Sequence, residues 1–216
     1  MTTRTKGEAL RRGLSVFMNA LSAILVFYAV SLFFTKGGEG NMKVWNHQCF
    51  VFFTVDSNLL AALSSLILLA VQLRRKSIAQ WALTAKFVGT TAVSVTFFTV
   101  VLFLGPATSY REMFSGSGLY LHLIVPVLEM ASFCLLEHNR PLRFKESLWG
   151  VLPTLVYGAL YFVMVIVIGQ ENGGWNDFYG FNRGGFWYVS CVVMLIATLG
   201  LCQLLRLANR AAGKTT

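Results

Sequence analysis

The chain has 216 residues, 56% of them apolar and only 12% charged, with a mean hydropathy of +0.63. A soluble domain carries about a quarter charged residues, so this composition excludes an ordinary soluble fold and predicts a polytopic membrane protein of one domain. The net charge of +9 does not point to nucleic acid, because the basic residues gather at the ends of apolar segments and form no recognisable nucleic-acid motif.

Met1 to Arg12 is basic, with Arg4, Lys6, Arg11 and Arg12, and leads into a first span over residues 13–34. At about 1.5 Å per residue this length crosses a hydrocarbon core of about 30 Å. It exceeds a secretory apolar region and lacks a small-residue cleavage site, so it reads as a retained span. A Gly-rich polar loop, 35–48, carries Trp45 and His47 near its end. The second span, 49–73, closes on Arg74-Arg75-Lys76. The third, 78–104, has Trp81 at its edge and Lys86 inside. Its far half holds Thr90, Thr91, Ser94, Thr96 and Thr99, hydroxyls that can bond back to the helix or across to a neighbour.

A loop with Pro106 and Arg111-Glu112-Met113 precedes the fourth span, 119–136, which holds His122, Pro126 and Glu129. A basic loop with Arg140, Arg143 and Lys145 follows. The fifth span is 148–168, with Pro153 in its first turns, where proline disrupts least. The loop 169–185 is aromatic, with Trp175, Asp177, Phe178, Tyr179 and Phe181. The sixth span is 186–205, and Arg206, Arg210 and Lys214 lie beyond it. Cys49, Cys134, Cys191 and Cys202 form no C-x-x-C and no metal-ligand spacing, so they read as small apolar fillers, and neither metal nor cofactor is expected.

The expected fold is an all-α integral membrane protein, a bundle of six transmembrane helices without internal repeat. Thirteen Lys and Arg residues fall on the face that holds both termini and four on the other. The positive-inside rule therefore puts both termini in the cytoplasm. Short loops and lean tails suit the plasma membrane of a bacterium.

Two polar intrusions break the apolar pattern: Thr54-Val55-Asp56-Ser57-Asn58 in the second span, and His122 with Glu129 in the fourth. A charge at mid-bilayer costs from about 2.5 to more than 10 kcal/mol, so such groups face a bundle interior or a wet cavity. Both spans enter from the same side, with Thr54 about 8 Å in and His122 about 5 Å in, depths that allow them to be partners. Thr54, Ser57 and Asn58 share one face, whereas Asp56 is rotated by about 200° from Thr54. His122 and Glu129, seven apart, also share a face, and Pro126 between them removes a backbone hydrogen bond and kinks the helix. Lys86 and Glu129 lie at similar depth from the opposite side, which predicts a buried ion pair unless the long lysine snorkels outward.

Read as chemistry, Thr54 is a nucleophile and His122 its general base. Ser57 or Asn58 would donate to a developing oxyanion, and Asp56 and Glu129 would support the pair or hold the fold. Trp175, Phe178 and Tyr179 would line or cover a pocket open to lipid tails. Two other readings stand beside this one. The hydroxyls and the imidazole can serve interhelical hydrogen bonds alone, in a non-catalytic lipid-binding protein. Alternatively Asp56, Lys86, His122 and Glu129 are relay or substrate groups of a small transporter or proton-coupled carrier, although the absence of a repeat argues against that class.

Phe52-Phe53-Thr54-Val55-Asp56, the Arg111-Glu112-Met113 stretch, His122-Leu123-Ile124-Val125-Pro126 followed by Glu129-Met130, and Trp175 with the aromatics after it occur in an order that resembles one family. It is that of the androgen-induced and androgen-dependent multi-pass membrane hydrolases and their bacterial relatives. The likeness runs from about Phe52 to Phe181. It implies hydrolysis of fatty acid esters of hydroxy fatty acids, with the threonine nucleophile and the histidine falling on Thr54 and His122. The implied partners are a lipid ester substrate and membrane lipids. The chain departs from the pattern at Phe178-Tyr179-Gly180, where the family has a Pro-aromatic pair.

Overall fold

The long apolar segments fold as six helices in the computed structural model, which describes residues 6–40, 42–74, 78–138 and 140–214. They are α1 (Lys6–Thr35), α2 (Phe53–Arg74), α3 (Gln80–Ala107), α4 (Ser117–Leu135), α5 (Phe144–Ile168) and α6 (Trp187–Ala212), each long and apolar enough to cross a membrane. Arg4, Arg75 and Lys76, which entered the orientation argument, lie outside the described residues.

The helix ends differ from the expected spans in ways local chemistry explains. The first helix begins at Lys6 rather than 13, because Glu8, Ala9, Leu10, Arg11 and Arg12 are all good helix formers that continue the turn. The sixth runs to Ala212, past 205, for the same reason. The second begins at Phe53 rather than 49, because Asn46–Val51 forms a 3-10 turn and Phe52 is extended (φ −96°, ψ 125°). Thr54 is therefore in the first turn of α2. The fifth starts at Phe144, where the Glu146 carboxylate accepts from the Arg143 backbone N–H at 2.8 Å.

Three of the helices contain a proline: Pro153 of α5 follows a 3-10 turn, Leu148–Val151, whereas α3 and α4 accommodate theirs through a π-helical turn. In α3 this turn is Val100–Leu104, ahead of Pro106; in α4 it is Tyr120–Ile124, ahead of Pro126. With bonds closing over five residues, each proline deprives the carbonyl five positions earlier of its donor. In both cases a side chain replaces it. The Tyr110 hydroxyl donates to Val101 O at 2.8 Å, and Asn58 Nδ2 of α2 donates to Leu121 O at 3.0 Å. The bond from Asn58 fixes α2 against the π turn that carries His122.

The helices α1 to α4 form the packed centre, while α5 and α6 lie outside it and leave most of their surface exposed. Small side chains bring α2 and α3 together: a Cβ at Gly89 would lie 2.4 Å from Ser64 Oγ and 2.9 Å from Ala61 Cα. Lys86 and Glu129, both wholly buried, meet in this centre with Nζ and Oε2 2.6 Å apart. Ser65 donates to Glu129 Oε1 at 2.7 Å, Lys86 Nζ donates to Ser65 Oγ at 2.7 Å, and Ser22 also donates to Glu129 Oε1. Four helices thus converge on one carboxylate.

Removing one partner of such a pair leaves an uncompensated buried charge. Lys86→Met is expected to lower the unfolding free energy in detergent by about 3–5 kcal/mol, with the double variant Lys86→Met/Glu129→Leu recovering much of it. A Lys86→Met protein that unfolds with the wild type would show that the pair does not hold the bundle.

Candidate functional site

The first turn of α2 carries Thr54 to the wall of a cavity of about 670 Å³ bounded by α2, α3, α5, α6 and residues 179–181. That volume lies within the range of small-molecule pockets. Its lining is mainly aliphatic and aromatic, and Phe103, Leu155 and Val193 are both lining and exposed, so the cavity opens sideways between helices. His122 does not line it. The imidazole stands behind Thr54, 1% exposed.

Thr54 Oγ1 and His122 Nε2 are 3.4 Å apart, a loose contact. On the other side of the ring, Nδ1 lies 2.7 Å from Met113 O. A carbonyl only accepts, so Nδ1 carries the proton and donates. In the neutral ring Nε2 then presents its lone pair to the Thr54 hydroxyl. The hydroxyl, the imidazole and the orienting acceptor stand in the order a nucleophile, base and positioning group require. Here a backbone carbonyl takes the place that a carboxylate holds in a serine triad.

The Met113 carbonyl reaches His122 only because residue 118 lacks a side chain. A Cβ at Gly118 would sit 2.4 Å from Met113 O and 3.4 Å from His122 Nδ1. The short helix Tyr110–Met113 is in turn capped by Ser109, whose hydroxyl accepts from Arg111 N.

The other expected groups are distributed differently. Ser57 Oγ lies 3.1 Å from Thr54 O and 2.8 Å from Thr96 Oγ1. Asn58 spends both amide protons on backbone carbonyls, Thr54 O at 2.7 Å and Leu121 O at 3.0 Å. Neither faces an oxyanion, so that expectation is corrected: both residues brace the turn holding Thr54. Asp56 is half-buried on another side of α2 and makes no hydrogen bond to the pair. Glu129 belongs to the ion pair with Lys86.

Of the aromatic loop, Tyr179 lines the cavity but Trp175 and Phe178 do not. Those two pack behind it, Phe178 on Phe52 and Tyr161 with ring centroids 4.9 and 5.1 Å apart, and Trp175 against Tyr157 and Tyr161. Asp177 sets the loop. Its carboxylate accepts from the Tyr161 hydroxyl at 2.9 Å, Phe181 N at 2.7 Å and Asn182 N at 2.8 Å. The Tyr161 oxygen accepts from Tyr179 N at 3.1 Å. So held, the Tyr179 hydroxyl faces the Thr54 side chain and the backbone N–H groups of Phe53 and Thr54. It is buried, and no neighbour reaches hydrogen-bond geometry with it. Burial pushes its pKa up to about 12, which keeps it a neutral phenol and a donor.

Met113, Gly118, Tyr161 and Asp177 were not singled out for the site from the sequence. Met113 acts through its backbone, which leaves no residue-type signal. Tyr157 and Tyr161, four apart in the apolar stretch 155–168 of α5, are a signal at helical spacing. Tyr157 donates to Val51 O at 2.6 Å and so ties α5 to the turn before α2.

Comparison of the chain with protein-family models, curated proteins and solved structures returned no match.

Because the close approach at Gly118 is to backbone, the neighbouring loop has to shift if a methyl is added. Gly118→Ala is expected to cost about 1–3 kcal/mol of stability by overpacking. Gly200→Ala in α6, where nothing lies within 4 Å, is expected to be neutral or to gain up to about 1 kcal/mol. Thermal unfolding of the two variants side by side checks the contrast.

Proposed function

We propose that the protein is an intramembrane hydrolase of lipid esters, with Thr54 as nucleophile and His122 as general base. The observation that carries this reading is the Thr54–His122–Met113 arrangement, a hydroxyl facing an unprotonated ring nitrogen at the wall of a laterally open apolar cavity. A lipid ester enters between the helices from the membrane, with both termini in the cytoplasm of a bacterial cell. The resemblance to the androgen-induced and androgen-dependent hydrolases supports fatty acid esters of hydroxy fatty acids as the substrate class.

In the reaction Thr54 Oγ attacks the ester carbonyl carbon while its proton passes to His122 Nε2. The tetrahedral oxyanion accepts hydrogen bonds from Tyr179 and from the free N–H groups at the first turn of α2. Collapse breaks the ester C–O bond, and His122 returns the proton to the departing alkoxide, leaving an acyl-threonine. Water, deprotonated by His122, then attacks the acyl carbon. The acid leaves, and the proton returns to Thr54. The hydrogen bond from His122 Nδ1 to Met113 O holds the ring in the tautomer each step needs. The carrier reading is weakened by the ion pair of Lys86 with Glu129, which commits two of its four relay groups to structure.

The test is labelling of purified protein by a fluorophosphonate probe, with hydrolysis of a fatty acid ester of a hydroxy fatty acid followed in parallel. Thr54→Ala and His122→Ala are expected to abolish both while keeping the wild-type size-exclusion profile. Tyr179→Phe is expected to lower kcat by about 10²–10³ with little change in KM, the loss typical of one oxyanion donor. Labelling and turnover that survive both Thr54→Ala and His122→Ala would overturn the assignment.

A further inference from the structure

A second polar centre lies at the other end of α2, about 27 Å along the helix from Thr54. It comprises Ser15 and Asn19 of α1, Gln72 of α2, Ser132 of α4 and Glu137, two residues beyond α4. Ser15, Asn19 and Glu137 are wholly buried, and Ser132 and Gln72 nearly so. In the sequence Glu137 stands between the apolar run 119–136 and Arg140, Arg143 and Lys145, a place where a carboxylate is ordinarily solvated. Instead it is folded under, with the Glu137 backbone carbonyl held by Asn209 Nδ2 of α6 at 2.8 Å.

The hydrogen bonds in this centre are one-sided. Glu137 Oε1 accepts three of them, from Asn19 Nδ2 at 2.5 Å, Ser132 Oγ at 2.6 Å and Ser15 Oγ at 3.2 Å. Asn19 Nδ2 also donates to Ser15 O at 2.8 Å. The amide cannot be reversed without setting its oxygen against two acceptors. Gln72 Nε2 donates to Ser15 Oγ at 2.8 Å, and because the Ser15 proton is directed at Glu137, the orientation of Gln72 is set too. Three atoms are left buried without a partner: Asn19 Oδ1, Gln72 Oε1 and Glu137 Oε2. All three are acceptor oxygens on side chains joined through Ser15.

The stoichiometry discriminates between occupants. A proton on Oε2 turns that oxygen into a donor and, directed at one amide oxygen, satisfies two of the three. A water molecule has two protons to donate and satisfies two. A cation coordinates all three and also neutralises the carboxylate. Among the described residues no cationic side chain forms an ion pair with Glu137; Lys86 is committed to Glu129, and Arg12 donates to the Gln72 backbone carbonyl. A buried carboxylate without a counter-charge costs several kcal/mol. Burial pushes the Glu137 carboxyl above its ordinary range against a smaller opposing pull from the Lys86 charge and the hydrogen bonds of Ser132 and Asn19, so the ionised form calls for a further positive charge.

We propose that this centre is a monovalent-cation site, in which Glu137 Oε2, Asn19 Oδ1 and Gln72 Oε1 coordinate a sodium ion. An all-oxygen set suits a hard cation. One carboxylate matches one charge, whereas a divalent ion would leave an uncompensated positive charge in an interior that already holds Lys86. The ion joins α1, α2 and the end of α4, and through Asn209 of α6 it ties stability to sodium. The proposal is independent of the hydrolase reading, and its test uses no turnover.

The full-length protein in detergent is unfolded thermally at constant pH and ionic strength while sodium chloride replaces choline chloride. The midpoint is expected to rise saturably, by about 5 °C at high sodium. Glu137→Gln, which keeps the acceptor at Oε1, is expected to lose the response. Equilibrium binding of radioactive sodium to the wild type is expected to give one ion per chain, and it decides the question if Glu137→Gln does not fold. Identical unfolding in sodium and choline would overturn the proposal, as would absence of bound sodium. So would a response that survives Glu137→Gln. Stability that rises on acidification and ignores sodium would replace the cation by a proton.

Discussion

The rest of the structure depends on the solvation of one carboxylate. Glu129 is wholly buried and so loses its hydration by bulk water. Donors from α1 (Ser22), α2 (Ser65) and α3 (Lys86) replace it together. A helix shifted by a turn, about 5.4 Å, withdraws its donor and leaves the charge short. The ion pair therefore acts as a register device for the four central helices. Apolar contacts such as that of Phe87 with Phe133, 5.5 Å between ring centroids, add packing. Being non-directional, they fix position less sharply.

The Thr54–His122 pair inherits its geometry from this frame through backbone irregularities. Pro126 imposes the π turn that carries His122, and the same turn frees the Leu121 carbonyl that Asn58 of α2 captures. Asn58 also holds the Thr54 carbonyl at 2.7 Å. One side chain thus fixes both members of the pair, while Gly118 and the Met113 carbonyl fix the imidazole tautomer. The polar residues that looked like direct participants are bracing. The phenol at the cavity wall beside Thr54 is that of Tyr179. This division follows from hydrogen-bond capacity: Asn58 has two protons, and both are spent on backbone carbonyls, that of Thr54 and the Leu121 carbonyl that Pro126 leaves without its helical donor.

Much of the fold was legible in the sequence because long apolar runs leave the chain few alternatives to helices. The six segments, the Lys86–Glu129 pairing and the juxtaposition of Thr54 with His122 all follow from helical period and depth. Helix ends were less legible, since Lys, Glu, Arg and Ala continue a helix as readily as they leave it. Nothing in the sequence marked Glu137, because a residue just past a span reads as solvated, and only the packing of α1, α2 and α6 over it removes it from water. The orientation of the aromatic loop was hidden because it rests on Asp177 accepting from two backbone N–H groups and one tyrosine of another helix.

By itself, then, the sequence determined an all-helical chain with six segments long and apolar enough to cross a membrane, and it singled out some of the buried polar residues that required partners, Thr54, Lys86, His122 and Glu129 among them. Hydrophobic content and period are properties of the chain taken locally, and they survive being read one segment at a time. The tertiary structure alone decided which donor meets which acceptor. It turned Asn58 and Ser57 inward to backbone, brought the Met113 carbonyl to His122, and buried Glu137 among Asn19, Gln72 and Ser132. Hydrogen bonds weaken steeply with distance and angle, so these assignments depend on where six helices come to rest against one another.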